Sequence, residues 1–153
     1  MSLVRQIYRV IYGEYYHNLT FSINDVPIVD VTFHLNKTIT IYVNNMKERK
    51  YYDYKFIDDV DILIENIRNI LISNGIDEML KQMGNITIKL YAERSANGEI
   101  MHNKIIINRG HADIDNDGYE YVLFQRYEIV GRIELTADTL AKIITAFAFA
   151  YYS

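Results

Sequence analysis

Cysteine and tryptophan are absent, and 153 residues contain one proline, Pro27, and seven glycines. Without thiols there can be no disulfide, no thiolate metal site and no cysteine nucleophile. So little proline and glycine leaves no room for a flexible linker, and the chain is expected to form a single domain over 1–153. A basic excess is missing too: 16 Lys and Arg face 20 Asp and Glu, for a net charge of -4. Proteins that hold a phosphate backbone draw affinity from displaced counterions, so this balance argues mildly against general nucleic-acid binding.

Long apolar runs are also lacking. The longest, "IITAFAFAYY" at 143–152, includes Thr145, and about 20 residues are needed to span a bilayer. The opening "MSLVRQIYRVIYGEYY" has no apolar stretch leading to a small-residue cleavage site, so no signal peptide is expected. The chain is therefore expected to be soluble and intracellular, without membrane contact, and the Asn-x-Thr triplets at Asn18, Asn36 and Asn85 to carry no glycan. No glycine-rich phosphate loop, G-x-S-x-G elbow or dinucleotide fingerprint occurs, which disfavours the common routes of nucleotide chemistry.

What is present is globular composition: half the residues are hydrophobic and 24% are charged. Isoleucine, asparagine and tyrosine are abundant, as in small proteins of viruses and mobile elements with AT-rich genomes. Residues 2–17 fit a helix capped by Ser2, with Leu3, Ile7, Val10, Ile11 and Tyr15 at helical spacing. From 18 to 56 the pattern changes to short strands. "LTFSI", "PIVDVTFHL", "TITIYVN" and "KYYDYKF" are separated by turn residues, and Val29, Val31, Phe33 and Leu35 alternate with polar neighbours. Pro27 fits only at a strand start or an edge.

Residues 58–74 carry the clearest helical stripe: Val60, Leu63, Ile64, Ile67, Ile70 and Leu71, with Asp58 as cap and Gly75 after the last turn. A short helix, "IDEMLKQM", follows. "ITIKLYAE" and "EIMHNKIIIN" flank Asn97-Gly98, a strong hairpin signal. "YEYVLFQ" and "YEIVGRIELT" read as further strands, with Gly131 at a bulge. The closing helix is expected to be capped by Thr136, with Leu140, Ile143, Ile144, Phe147 and Tyr151 on one side. The alternating Ala and Phe of its end leaves a strand reading open. The class is thus α+β: a mostly antiparallel sheet of about seven to eight strands, helices at both termini, and a central helix pair packed on the sheet.

Four clusters could bear function. In "GHADIDNDGYE", Asp113, Asp115 and Asp117 alternate, with Gly118 at the sixth place of a calcium loop. Phe124, however, stands where the twelfth-place glutamate is required. With His111 the aspartates form a weak candidate for a divalent cation; a turn around Asn116-Asp117-Gly118 is the favoured reading, and no cofactor is expected. The second cluster, Lys47, Arg49, Lys50, Tyr52 and Tyr54, joins charge for phosphates to rings for stacking bases. The simpler reading is a polar loop leading into an edge strand.

Third, Asp30 on one strand and Asp53-x-Lys55 on a later one would suit a metal-dependent nuclease, at a spacing that also arises by chance. Last, tyrosines near the termini, among them Tyr8, Tyr12, Tyr151 and Tyr152, suit an interface. Two amphipathic terminal helices could pair in a homodimer, or pack on the sheet of their own chain. No motif decides among these. The leading expectation is a protein-interaction or accessory module of a virus or mobile element with a protein partner; the rival is a metal-dependent nuclease or nucleic-acid binder.

Overall fold

In the computed structural model the backbone is described for 2–13, 15–23, 26–82, 87–96, 99–109, 119–123, 128–133 and 136–153; side chains are described for 2–9, 11–13, 15–23, 26–81 and 136–153. Helix α1, Leu3–Ile11, begins where the Ser2 hydroxyl accepts the Arg5 amide at 3.3 Å. It stops well short of residue 17. Gly13 takes φ +84°, a left-handed conformation that glycine adopts without steric penalty and that ends a helix. The chain then enters strand β1, Tyr16–Ile23, so Tyr15 lies outside the helix that its spacing suggested.

Strands β2 (Val26–Phe33), β3 (Thr38–Asn44) and β4 (Arg49–Lys55) follow as an antiparallel meander in the order β1-β2-β3-β4. Rows of paired residues explain why these segments are strands. Leu19, Val31, Ile41 and Tyr52 lie side by side on one face, as do Phe21, Val29 and Val43, and then Phe33, Ile39 and Tyr54. The aliphatic and phenylalanine members of these rows are all buried. Polar residues fill the opposite face, as period-two alternation requires.

Pro27 lies at the start of β2, where the β1–β2 register shifts between Phe21 and Ser22. Its lack of an amide hydrogen is tolerated at such an irregularity. The alternation breaks at Leu35, which is 90% exposed instead of joining the core. Strand β2 has ended by then, and residues 34–37 form a turn in which the Lys37 amide donates to the His34 carbonyl at 3.0 Å.

Helix α2 is Val60–Ser73 and α3 is Ile76–Gln82. The cap of α2 is Asp59 and not Asp58: its carboxylate accepts the Ile62 amide at 3.1 Å. Leu63, Ile64, Ile67 and Leu71 face the core, while Val60 is more than a third exposed and leaves the expected stripe. Backbone pairing continues beyond β1 through β5 (Thr87–Ala96), β6 (Glu99–Arg109), β7 (Tyr119–Leu123) and β8 (Glu128–Ile133), each antiparallel to its neighbour. Opposite Tyr121 and Val122 the register jumps from Gly131 to Ile129, which sets an irregularity beside the expected glycine.

Helix α4, Ala137–Tyr151, is capped by Thr136, whose hydroxyl accepts the Thr139 amide at 3.2 Å. It is helical to its end, and its burial extends far beyond one stripe: Ala137, Ala141, Ala146, Ala148 and Ala150 are buried along with the expected large residues. Its neighbours are β1 and β2 on the sheet and α1 and α2 among the helices. Alanines on several sides let these elements approach closely, the reason a helix in this position cannot be simply amphipathic.

Between α2 and α4, Asp138 accepts from Arg68 at 3.0 Å and from Lys142 at 2.8 Å. Burial pushes the Asp138 carboxyl up, but the two cations bonded to it outweigh burial and leave it below the usual carboxylate range. The architecture is α+β, helices on an antiparallel sheet. Helix α4 packs on β1 and β2, and Asn66 of α2 reaches Tyr54 of β4, so the helices lie over the β1–β4 half of the paired strands. Among the described residues no helix is long and apolar enough to cross a membrane.

Candidate functional site: an aromatic cleft between the terminal helices

Where α1, the start of α2 and the end of α4 come together, they leave a cleft of about 490 Å³, within the range of roughly 300–1,000 Å³ typical of ligand sites. Phe56, Phe149 and Tyr152 form its aromatic wall. Phe56 meets Phe149 with ring centroids 5.1 Å apart and Tyr152 at 4.7 Å. Tyr8 and Val60 also border the opening.

The wall is held in place by the β2–β3 turn. Lys37 in that turn has φ +65°, and its carbonyl accepts the Phe56 amide at 2.8 Å. The Tyr152 hydroxyl donates its one hydrogen to the His34 carbonyl at 2.7 Å, with the Thr38 carbonyl at 3.2 Å as a second, longer acceptor of the same hydrogen, which ties the end of α4 to the same turn. Burial pushes the Tyr152 phenol up to about 12, and the neighbouring Tyr151 adds to the shift. The hydroxyl therefore keeps its proton, and its role as a donor, through the neutral range.

Three charged side chains border this apolar space: Arg5 from α1, Lys37 from the turn and Asp58 ahead of α2. Among the described residues neither Arg5 nor Lys37 has an ion-pair partner. Such a site can bury an apolar group and meet a charge at its rim.

The clusters singled out in the sequence are placed as follows. His111, Asp113, Asp115 and Asp117 lie outside the described residues. Asp30 and Asp53 share the polar face of the sheet, in adjacent rows two strands apart. That is roughly 12 Å between Cα atoms from ordinary strand spacing and rise. Each carboxylate is engaged locally. Asp30 accepts from Asn18 at 2.7 Å and Thr20 at 3.1 Å, whereas Asp53 accepts from Thr40 at 2.8 Å. Thr40 has only one hydroxyl hydrogen and gives it to Asp53, so at 2.9 Å it is His34 Nε2 that donates to Thr40. Lys55 lies at the end of β4 opposite Thr38. Among the described residues no group of three or more His, Asp or Glu is placed to hold a metal ion.

The 47–54 cluster is divided by the alternation of β4. Lys47 and Arg49 are exposed near the β3–β4 turn, and Lys50 lies 3.6 Å from Glu48. Tyr52 and Tyr54 turn toward the helices and pack against the core. Asn74 donates to the Tyr52 hydroxyl at 2.9 Å, and Asn66 donates to that of Tyr54. The outward rings are Tyr42 and Tyr51, 5.0 Å apart, with Tyr51 73% exposed. The terminal tyrosines divide as well: Tyr16 packs on Phe147 and Tyr151 on Phe33, while Tyr12 and Tyr15 are exposed.

Tyr8 and Tyr152 of this cleft are among the terminal tyrosines that suit an interface, but Arg5, Lys37, Phe56 and Phe149 were not singled out from the sequence. The available signal was an arginine three residues after a serine cap, where glutamate would complete the capping box. No protein-family model, curated protein or solved structure matches this chain. Its function must be read from the site itself.

Proposed function

We propose that this chain is a single-domain accessory protein of a virus or mobile element, acting inside the cell by binding another protein through the cleft. The carrying observation is the cleft itself: aromatic rings from three segments surround an open apolar space, rimmed by Arg5 and Lys37, which have no ion-pair partner among the described residues. Aromatic side chains with arginine at the margin are the composition of protein-binding hot spots. Composition supports the viral or mobile-element setting, and the absence of a long apolar helix among the described residues fits a protein that works in water. The polar sheet face supports the metal-nuclease reading less well, since Asp30 and Asp53 are separated and separately bonded.

A photo-crosslinking residue placed at Val60, at the mouth of the cleft, tests this against one placed at Asp53 on the far face. Crosslinking in the native source is expected to capture a defined protein from position 60 only, and Ser153→Trp, which adds a ring at an exposed lining position of the cleft, is expected to abolish the capture. Equal products from both positions, or products that survive Ser153→Trp, would remove the reading.

A further inference from the structure

We infer that the cleft selects a peptide segment in which a bulky apolar or aromatic side chain lies beside a carboxylate. This rests on the reading of the cleft as the partner site and adds the chemistry of what enters it.

The argument turns on where the two cations stand. Arg5 occupies the third position of α1, whose first turn holds no acidic residue. Free amides and the helix dipole make that turn electropositive, so glutamate is favoured there and a cation is disfavoured. Lys37 occupies a left-handed position, φ +65°, where glycine or asparagine is the favoured residue. Both cations therefore stand against local preference, and both border the same cleft. Departures from local rules concentrate where function requires them.

Charge supplies the ligand's sign. The chain as a whole carries -4, yet this rim holds two cations against one carboxylate, Asp58. With no ion-pair partners among the described residues, Arg5 and Lys37 can meet an incoming carboxylate without first breaking a bond. The aromatic wall of Phe56, Phe149 and Tyr152 receives the apolar side chain next to it. A peptide supplies both groups from adjacent residues. Asp58 opposes a second negative charge on its own side of the rim, so one carboxylate is read and a dense acidic run is not.

The test is an amide-resolved NMR titration with two capped pentapeptides, Gly-Glu-Phe-Gly-Gly and its Gln counterpart Gly-Gln-Phe-Gly-Gly, each taken to about 5 mM so that weak binding is seen. The Glu peptide is expected to shift amides at Arg5, Tyr8, Phe56, Val60 and Phe149. It should bind roughly tenfold more tightly than the Gln peptide, the upper end of what two exposed charge pairs supply. The preference should shrink at high salt. In Arg5→Gln/Lys37→Asn it should vanish while weak binding of both peptides persists; asparagine suits the left-handed turn, so the fold is kept. Asp58→Asn should tighten the Glu peptide.

Equal binding of the two peptides, a preference that survives the double variant, shifts elsewhere on the chain, or no shift at all would overturn the inference. Phenylacetate, which carries the same ring and charge without a peptide, is the control for source: binding as tight as that of the Glu peptide would replace the peptide with a small amphipathic anion. Crosslinking from position 60 in the absence of peptide discrimination would leave the partner site standing and remove only the acidic selectivity.

Discussion

Tyr152 shows how much one side chain can carry in this fold. Its ring forms part of the cleft wall, and its hydroxyl joins the last turn of α4 to two carbonyls of the β2–β3 turn. Tyr152→Phe keeps the ring and removes the donor. It should cost about 1 kcal/mol, the ordinary contribution of a hydrogen bond with acceptors left partly unsatisfied. The pH dependence has a definite sign. The phenol is pushed up to about 12 in the folded chain from about 10 when unfolded, so folding favours its protonated form. That contribution is fully present below about pH 10 and is lost as pH rises through about 12. Urea midpoints of wild type and Tyr152→Phe should therefore converge between about pH 8 and about pH 11. A constant gap across that interval would show that the hydroxyl is not anchored as described.

At the scale of elements, helix ends distinguish what is locally encoded from what is not. Ser2, Thr136 and the turn at Gly75 are legible because their chemistry is local: an oxygen two or three residues before free amides, or a glycine with φ +74°. Asp58 and Asp59 are two adjacent carboxylates, and pattern alone does not choose between them; the structure gives the cap to Asp59. Asp59→Ala should cost about 1 kcal/mol in chemical unfolding, and Asp58→Ala less than about 0.5 kcal/mol. Equal losses would reassign the cap.

The strands of the 18–56 meander were legible from alternation, down to Val29, Val31 and Phe33 on one side. Leu35 was misjudged because alternation does not tell where a strand ends and its turn begins. Helix α4 was found, but its all-round burial was not, since that depends on α1, α2 and the sheet arriving from distant parts of the chain. The cleft was illegible for the same reason. Its lining spans Val4 to Ser153, and no window of sequence contains it. The division of Tyr51 from Tyr52 and Tyr54 followed from strand period. That Tyr54 would bond Asn66 of α2 and Tyr52 the Asn74 that follows it did not.

Over the whole molecule, stability and recognition are expected to rest on different residues, and this separates a site from mere packing. Ile41 is fully buried at the centre of the row formed by Leu19, Val31 and Tyr52. Ile41→Ala removes a transfer contribution and leaves a cavity, a cost of roughly 2–5 kcal/mol. For a chain of this size that lowers Tm by roughly 5–15 °C. Arg5 and Lys37 are exposed, and Arg5 sits at the unfavourable end of its helix dipole. Replacing both with Gln and Asn should move stability by less than about 0.5 kcal/mol each, and in the upward direction if either moves it at all. Thermal melts decide this independently of any ligand. A double variant that melts well below wild type would mean that the two cations hold the fold together, and their position against local preference would then need no binding partner to explain it. A melt at or above the wild-type temperature leaves them without a structural reason to be there, and recognition at the cleft is what remains.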